Sequence, residues 1–530
     1  MTASKLAGLL LAFTLVAAAA LRIYGTAAKD TFSEDENFSL LYATGHASEY
    51  YDMLEEKPPF GVWVPAAEWK KFTRPDRLFC FSKITRDMAF FDIHPPFYFW
   101  FLHVWAFIAG VNLWTGLGLN LLISSTAILS LYGLGRYVLG SSVEAALAAC
   151  VWALSPAVFQ MSFEARQYDM LILITILFVW QFLRCIEVNR APRWFDFILM
   201  AAVTTAGALT HFHFSILVGG CGFYALAKLW REQKIRLATV SGAVLLGYLI
   251  FFVITPNFYR SFANAGETLN VFSHEALLIR AENIVNSCRQ FFQNPLPFVS
   301  IRHTLAILFV AVGILAYRKS PAMLLEHVRD TNWTGVHILY FGWWMIGVLI
   351  ALYLAFLTPV QSMLPKHLGM AWPFFAFLPV FILRLFPKYK NHLAAIGCVL
   401  ALLPGINGAK AFREYLITQP NPSTILAQAP AVVMDNVSIG YVPRVLWKLA
   451  DDTPVFIASR SYLLQHQAQW LDRLGGGAVY ISIHSAEHFA GNAKGGREQL
   501  YELINRNWEN DFMKDAVWGF GDAMILQKER

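Results

Sequence analysis

Phe90–Trp100 reads FFDIHPPFYFW. Whether the aromatic run behind its two prolines crosses a bilayer decides the orientation of everything that follows. The setting is a chain of 530 residues, 56% hydrophobic and only 15% charged, against about a quarter charged in an ordinary soluble domain. Apolar runs such as LAGLLLAFTLVAAAAL from Leu6 and TLAILFVAVGILAY from Thr304 suit a bilayer, which takes roughly 17–25 residues per helix. The expected fold class is therefore an α-helical polytopic membrane protein. Spans are expected at 5–25, 117–139, 143–160, 169–186, 195–212, 214–230, 237–255, 301–317, 336–357, 368–386 and 391–408, about eleven in all. The first could also serve as a signal segment, although its apolar stretch is long for one and Arg22 follows the alanines closely.

Basic connections normally stay cytoplasmic. RCIEVNRAPR from Arg184, REQKIR from Arg231, YRKS from Tyr317 and RLFPKYK from Arg384 all fall on one side if the N-terminus is cytoplasmic and Pro95–Gly110 does not cross. That segment is short for a span and carries His103, so it reads as a helix lying at the outer interface or only partly inserted. A twelfth span with an inverted N-terminus is the competing topology. The first outer loop then covers residues 26–95 within a membrane domain of 1–410. From 411 to 530 the apolar runs shorten to AVVMD, PVFIAS and AVYISI, alternating with YVPRVLWKLA and SYLLQHQAQWLDRL, the pattern of a small α/β domain on the outer side. The net charge of +6 lies largely in short loops and gives no ground for a nucleic-acid partner. Six cysteines form no CxxC pair and read as small core residues.

The outer loops carry ionisable groups, which are costly at a membrane unless paired or used. SEDENFSL holds Asp35 and Glu36, DIHPP holds Asp92 and His94, FEARQY holds Glu164, Arg166 and Tyr168, THFHF holds His211 and His213, and LPKH holds Lys366 and His367. One charge run alone is usually a solvated loop; complementary groups in four loops on one face are harder to dismiss. Carboxylates can act as general base or hold a divalent cation. Arg forks and Lys point charges suit phosphate. Together they imply an outer-leaflet site where a hydroxyl meets a lipid-linked phosphate. The prolines fix the joint itself: Pro96 keeps Pro95 out of the helical region, and proline is tolerated in a first helical turn. HFH suggests metal ligands less strongly, because residues two apart share a face only in a strand.

An acidic pair after the first span, FFDIHPP, a P-x-x-x-x-x-x-x-E-A-R-x-Y stretch and an H-F turn occur here in order. That set resembles the C-type (GT-C) superfamily of integral-membrane glycosyltransferases, in the branch of protein O-mannosyltransferases and bacterial lipid A aminoarabinose transferases. The likeness spans about residues 5–390, with its specific motifs before residue 215. It implies inverting transfer of one sugar from a polyprenyl phosphate to an acceptor hydroxyl of a glycan, lipid or protein, outside a bacterial inner membrane. By the same likeness Asp35 is the general base, with Glu36 beside it, and Asp92, Glu164 and His211 orient the acceptor or a metal. His94, Arg166 and Lys366 would bind the donor phosphate, although relatives often have Arg-Tyr where this chain has Lys366 and His367. EEKPPFGVW at Glu55–Trp63 resembles the aminoarabinose transferases' Lys-Pro-Pro motif, which keeps Lys57 as an alternative phosphate ligand. A divalent metal ion stays open, since members of the family differ in needing one.

Other readings are a transporter or flippase of a lipid-linked sugar, a glycan ligase, and a non-catalytic assembly factor. Paired broken helices and inverted halves, the marks of many transporters, are not evident. Gly475–Gly477 precedes a strand-like run, whereas a phosphate-binding loop follows a strand and opens a helix.

Overall fold

The computed structural model describes residues 2–188, 193–260, 278–279, 281–282, 284–286, 329–356, 365–484 and 496–529. The expected span 301–317, the basic YRKS segment, residues 358–364 and most of residues 255–300 lie outside them. The described residues form two compact units. One comprises Met1–Ala27, Met88–Tyr98 and Leu117–Phe412, the other Ala28–Asp87, Phe99–Gly116 and Arg413–Arg530.

The first unit is helical. Ala3–Thr26, Thr115–Leu139, Tyr168–Ile186, Lys234–Ile254, Lys366–Leu383 and Lys390–Thr418 are long and apolar enough to cross a membrane, and Ser142–Ala153, Trp194–Ala208, Phe214–Leu229 and Ile338–Leu354 are shorter apolar helices. Prolines explain two departures from the expected spans. Pro156 splits 143–160 into Ser142–Ala153 and Pro156–Ser162. Pro373 and Pro379 begin the short helices Trp372–Phe375 and Leu378–Leu383 that follow a 3-10 turn at Pro365–Ala371, because proline lacks the N–H that a continuing helix requires. The helix after DIHPP, Phe97–Ala109, has 13 residues, about 20 Å at the usual rise, which falls short of a hydrocarbon core of roughly 30 Å.

Helices in lipid associate where small side chains let backbones approach. A Cβ built on Gly247 would meet the Ala201 carbonyl oxygen at 2.7 Å, and Thr205 Oγ1 donates to the Gly247 carbonyl at 3.0 Å, so Trp194–Ala208 and Lys234–Ile254 pack closely. Polar groups are spent on tying helices together. Arg22, wholly buried in the first helix, donates from Nε to Ser162 Oγ at 3.0 Å and from Nη1 to the Ala153 carbonyl at 3.3 Å. Ser162 Oγ in turn donates to Asp169 Oδ2 at 2.7 Å. On another set of connections Arg384 pairs with Glu144 at 2.7 Å and donates to the Asn332 and Leu139 carbonyls at 3.0 and 3.3 Å.

The second unit holds a six-stranded sheet of β1 (Val64–Pro65), β2 (Val432–Met434), β3 (Pro454–Ile457), β4 (Val479–Ile483), β5 (Trp508–Val517) and β6 (Gly521–Glu529), in the order β1-β3-β2-β4-β6-β5. β2 runs parallel to β3 and β4, while the remaining pairings are antiparallel. Parallel strands covered on both faces read as continuous apolar runs, as VVM and VYISI do. Immediately after β2 the fully buried Asp435 accepts from Arg460 Nε and Ser482 Oγ at 2.8 Å, the Ile483 N–H at 3.0 Å and the Tyr480 hydroxyl at 3.2 Å. Removing one partner of a buried ion pair leaves an uncompensated charge and costs on the order of 3–5 kcal/mol. Arg460→Leu should therefore lower the unfolding temperature of this sheet, read by hydrogen exchange on β2 and β4. Unchanged protection there would show that the remaining three donors suffice for Asp435.

Candidate functional site

The site builds from the joint that the two prolines define. The helix Phe81–Phe91 ends where the Asp92 N–H donates to the Met88 carbonyl at 3.0 Å. Asp92 Oδ1 then accepts the His94 N–H at 2.8 Å and lies 2.6 Å from His94 Nδ1. Aspartate commonly folds back on the backbone two residues on, and here that turn also fixes the imidazole. The Phe97 N–H donates to the Leu209 carbonyl at 2.9 Å, which ties the joint to the THFHF turn. In that turn the His213 N–H donates to His211 Nδ1 at 3.1 Å, leaving Nε2 to carry the proton of neutral His211.

Four imidazoles converge. Ring centres lie 5.5 Å apart for His94 and His211, 4.4 Å for His211 and His213, and 6.1 Å for His213 and His367. Tyr168 stands 6.2 Å from His211 and 6.3 Å from His367, and Lys366 Nζ lies 5.4 Å from the centre of the Tyr168 ring. His367 Nδ1 is 2.6 Å from the Tyr353 hydroxyl. Arg166, on the same segment as Tyr168, is buried. Burial alone would raise the Asp92 carboxyl, but the His94 imidazole and the Arg166 guanidinium together hold it below the usual carboxylate range. The structure thus gathers Asp92, His94, Arg166, Tyr168, His211, His213, Lys366 and His367 in one unit. Tyr353 is the member that sequence reasoning missed; its only signal was a lone hydroxyl in the apolar run LIALYLAF. Glu164 is half-buried beside this group, and its carbonyl accepts the Arg166 N–H at 2.7 Å.

Asp35, Glu36 and Lys57 belong to the other unit. Asp35 is half-buried in the first turn of the helix Glu34–Thr44. Glu36 builds that helix start: its Oε2 accepts the Ser33 N–H at 2.8 Å, its own N–H donates to Ser33 Oγ at 3.2 Å, and its Oε1 pairs with Lys29 at 2.5 Å. This reciprocal cap satisfies two otherwise orphaned N–H groups and holds Asp35 in place. Lys57 is exposed and pairs with Glu55 at 2.8 Å. Among the described residues His484, Asp515 and Asp522 bring ligand atoms within 4.8 Å of one another. Both His484 ring nitrogens face carboxylates, Nδ1 lying 3.4 Å from Asp515 and Nε2 2.8 Å from Asp522.

The burial of His213, reinforced by the charge of His94, pushes its imidazole down to about 4 from 6.5. Between those values the unfolded chain binds the proton that the folded chain refuses, so stability is lost as pH falls through this window. His211, pushed the same way by its burial and its neighbours, adds to that loss, and Asp92, held low, adds to it only as the pH nears its ordinary value of 3.8. The unfolding temperature in nanodiscs should drop from pH 6.5 to pH 4, and His213→Phe should flatten that drop. An equally steep decline in the variant would place the titrating group elsewhere.

Residues 93–259 match the family described as dolichyl-phosphate-mannose-protein mannosyltransferase. Among solved structures, ArnT from Cupriavidus metallidurans bound to undecaprenyl phosphate shares 12% identity at a TM-score of 0.55, over 99% of this chain and 98% of that one. The apo state of ArnT from the same organism gives 11% identity and a TM-score of 0.51, over 97% of each chain. Likeness at that identity is a likeness of fold. No curated protein matches the chain. Through the matched family over residues 93–259 and through the shared fold, the chain resembles the C-type integral-membrane glycosyltransferases of the protein O-mannosyltransferase and aminoarabinose transferase branch.

Proposed function

We propose that the protein is an inverting glycosyltransferase that moves a monosaccharide from a polyprenyl phosphate to an acceptor hydroxyl on the outer face of a bacterial inner membrane. The observation that carries this reading is the gathering of Asp92, Arg166, Lys366 and four imidazoles in one helical unit. That is a site suited to an anion presented by a lipid. About eleven spans with a cytoplasmic N-terminus would put DIHPP, FEARQY and THFHF on the outer side, together with the segment 411–530.

In this reading Arg166 takes the donor phosphate as a fork, with Lys366 and His94 as further donors. The acceptor oxygen attacks the anomeric carbon from the face opposite the phosphate. The bond between that carbon and the phosphate oxygen breaks with its electron pair on the phosphate, whose charge the cations offset. Such preorganised stabilisation is often what accelerates an enzymatic reaction most. Asp35 accepts the proton of the acceptor hydroxyl, as the family likeness implies, and Glu36 serves it by capping its helix. Asp92, Glu164 and His211 orient the acceptor and the phosphate ligands. Lys57 is the alternative phosphate ligand. The sugar, and the choice among glycan, lipid and protein acceptors, are left to experiment.

The test uses protein in lipid with a panel of radiolabelled polyprenyl-phosphate monosaccharides. A general base is worth roughly 10²–10⁴ in rate, so Asp35→Asn should cut release of polyprenyl phosphate by that factor while donor binding persists. Equal turnover would remove Asp35 from catalysis. Tight donor binding without release from any donor would favour a flippase instead.

A further inference from the structure

Asn120 is wholly buried in the second turn of the helix Thr115–Leu139, in an apolar stretch where an amide is costly unless every group finds a partner. Here each does. Its Nδ2 donates to the Glu164 carbonyl at 2.6 Å and to the Ser162 carbonyl at 3.2 Å, and its Oδ1 accepts the Tyr98 hydroxyl at 3.2 Å. The first two bonds hold the segment that carries Arg166. The Glu164 carbonyl also accepts the Arg166 N–H at 2.7 Å, closing a three-residue turn with Ala165 at its centre. Asn120 therefore braces the oxygen around which that turn folds. Its third bond reaches Tyr98, two residues beyond Pro96 and one beyond Phe97, whose N–H is anchored on Leu209. Ser162 is secured independently through its hydroxyl, between Arg22 and Asp169.

One amide thus joins the turn that presents Arg166 to the helix start that follows Asp92 and His94. We infer that Asn120 is a positioning residue: it sets the distance between the guanidinium and the Asp92–His94 pair, and so the fit of the site to the phosphate of a lipid donor. The inference rests on the reading of Arg166 as a phosphate ligand. No motif that identifies the likeness contains Asn120, and it acts through backbone carbonyls, so its role shows only in three dimensions.

A double-mutant cycle tests it, with undecaprenyl phosphate binding to protein in nanodiscs as the readout. A hydrogen bond to a charged group carries roughly one to two powers of ten in affinity, so Asn120→Leu should weaken binding by roughly ten- to a hundredfold in the wild-type background. It should cost less than about threefold when Arg166 is already Lys, because the residue it positions has lost its fork. Equal losses in both backgrounds would overturn the inference, as general damage predicts them. Hydrogen exchange supplies a second readout free of function: Asn120→Leu should release residues 162–168 while leaving β2 and β4 protected. No change at 162–168 in a folded variant would overturn the brace itself. If Asn120→Leu does not assemble, Asn120→Asp, which keeps the volume and the acceptor for Tyr98 but offers at most one O–H in place of two amide donors, gives the same two readouts. Unchanged lipid binding in Arg166→Lys alone would instead overturn the phosphate reading beneath the inference, a failure separable from the others.

Discussion

The pull of His94 and Arg166 on the Asp92 carboxylate is the interaction on which the membrane unit's polar chemistry depends. A nearly buried carboxylate at the end of a helix raises its own free energy unless cations answer it. Answering it brings the DIHPP joint and the FEARQY turn together. Once those two segments meet, the His211–His213 turn is drawn in by the bond from the Phe97 N–H to Leu209. Residues 365–371 contribute Lys366 and His367 against Tyr168.

The same economy of polar groups runs through the rest of the unit. Arg22, Ser162, Asp169 and Asn120 are buried among apolar side chains and bonded to segments distant in sequence. Lipid provides no hydrophobic drive between helices, so close backbone contacts and interhelical hydrogen bonds supply specificity. These groups do so around the segment that carries Arg166. The sheet unit solves a different problem with similar means, holding Asp435 beneath four donors at the end of β2.

Much of this was legible in the sequence, for reasons that can be stated residue by residue. Long apolar runs reveal membrane helices because bilayer thickness sets their length. DIHPP was legible because paired prolines fix a joint and its polar neighbours must then point somewhere. Arg166 and the HFH turn stood out as charges and imidazoles flanking apolar runs. Less legible were groups whose role lies in a distant partner. Tyr353 and Asn120 look like single polar residues in apolar helices, and only the folded chain shows what they reach. Glu36 resembled its acidic neighbours, yet its carboxylate is committed to a helix cap and to Lys29. Val64–Pro65 carried no sign that two residues between the first helix and DIHPP would pair with β3, nearly four hundred positions away.

Everything proposed for the reaction turns on where the lipid phosphate sits. A cryo-EM structure of the full chain in nanodiscs with undecaprenyl phosphate added would locate it. Phosphate density should be bonded by the Arg166 guanidinium and lie against His94 and Lys366. Density beside Lys57, with the Asp92–His94–Arg166 group unchanged and empty, would refute that placement.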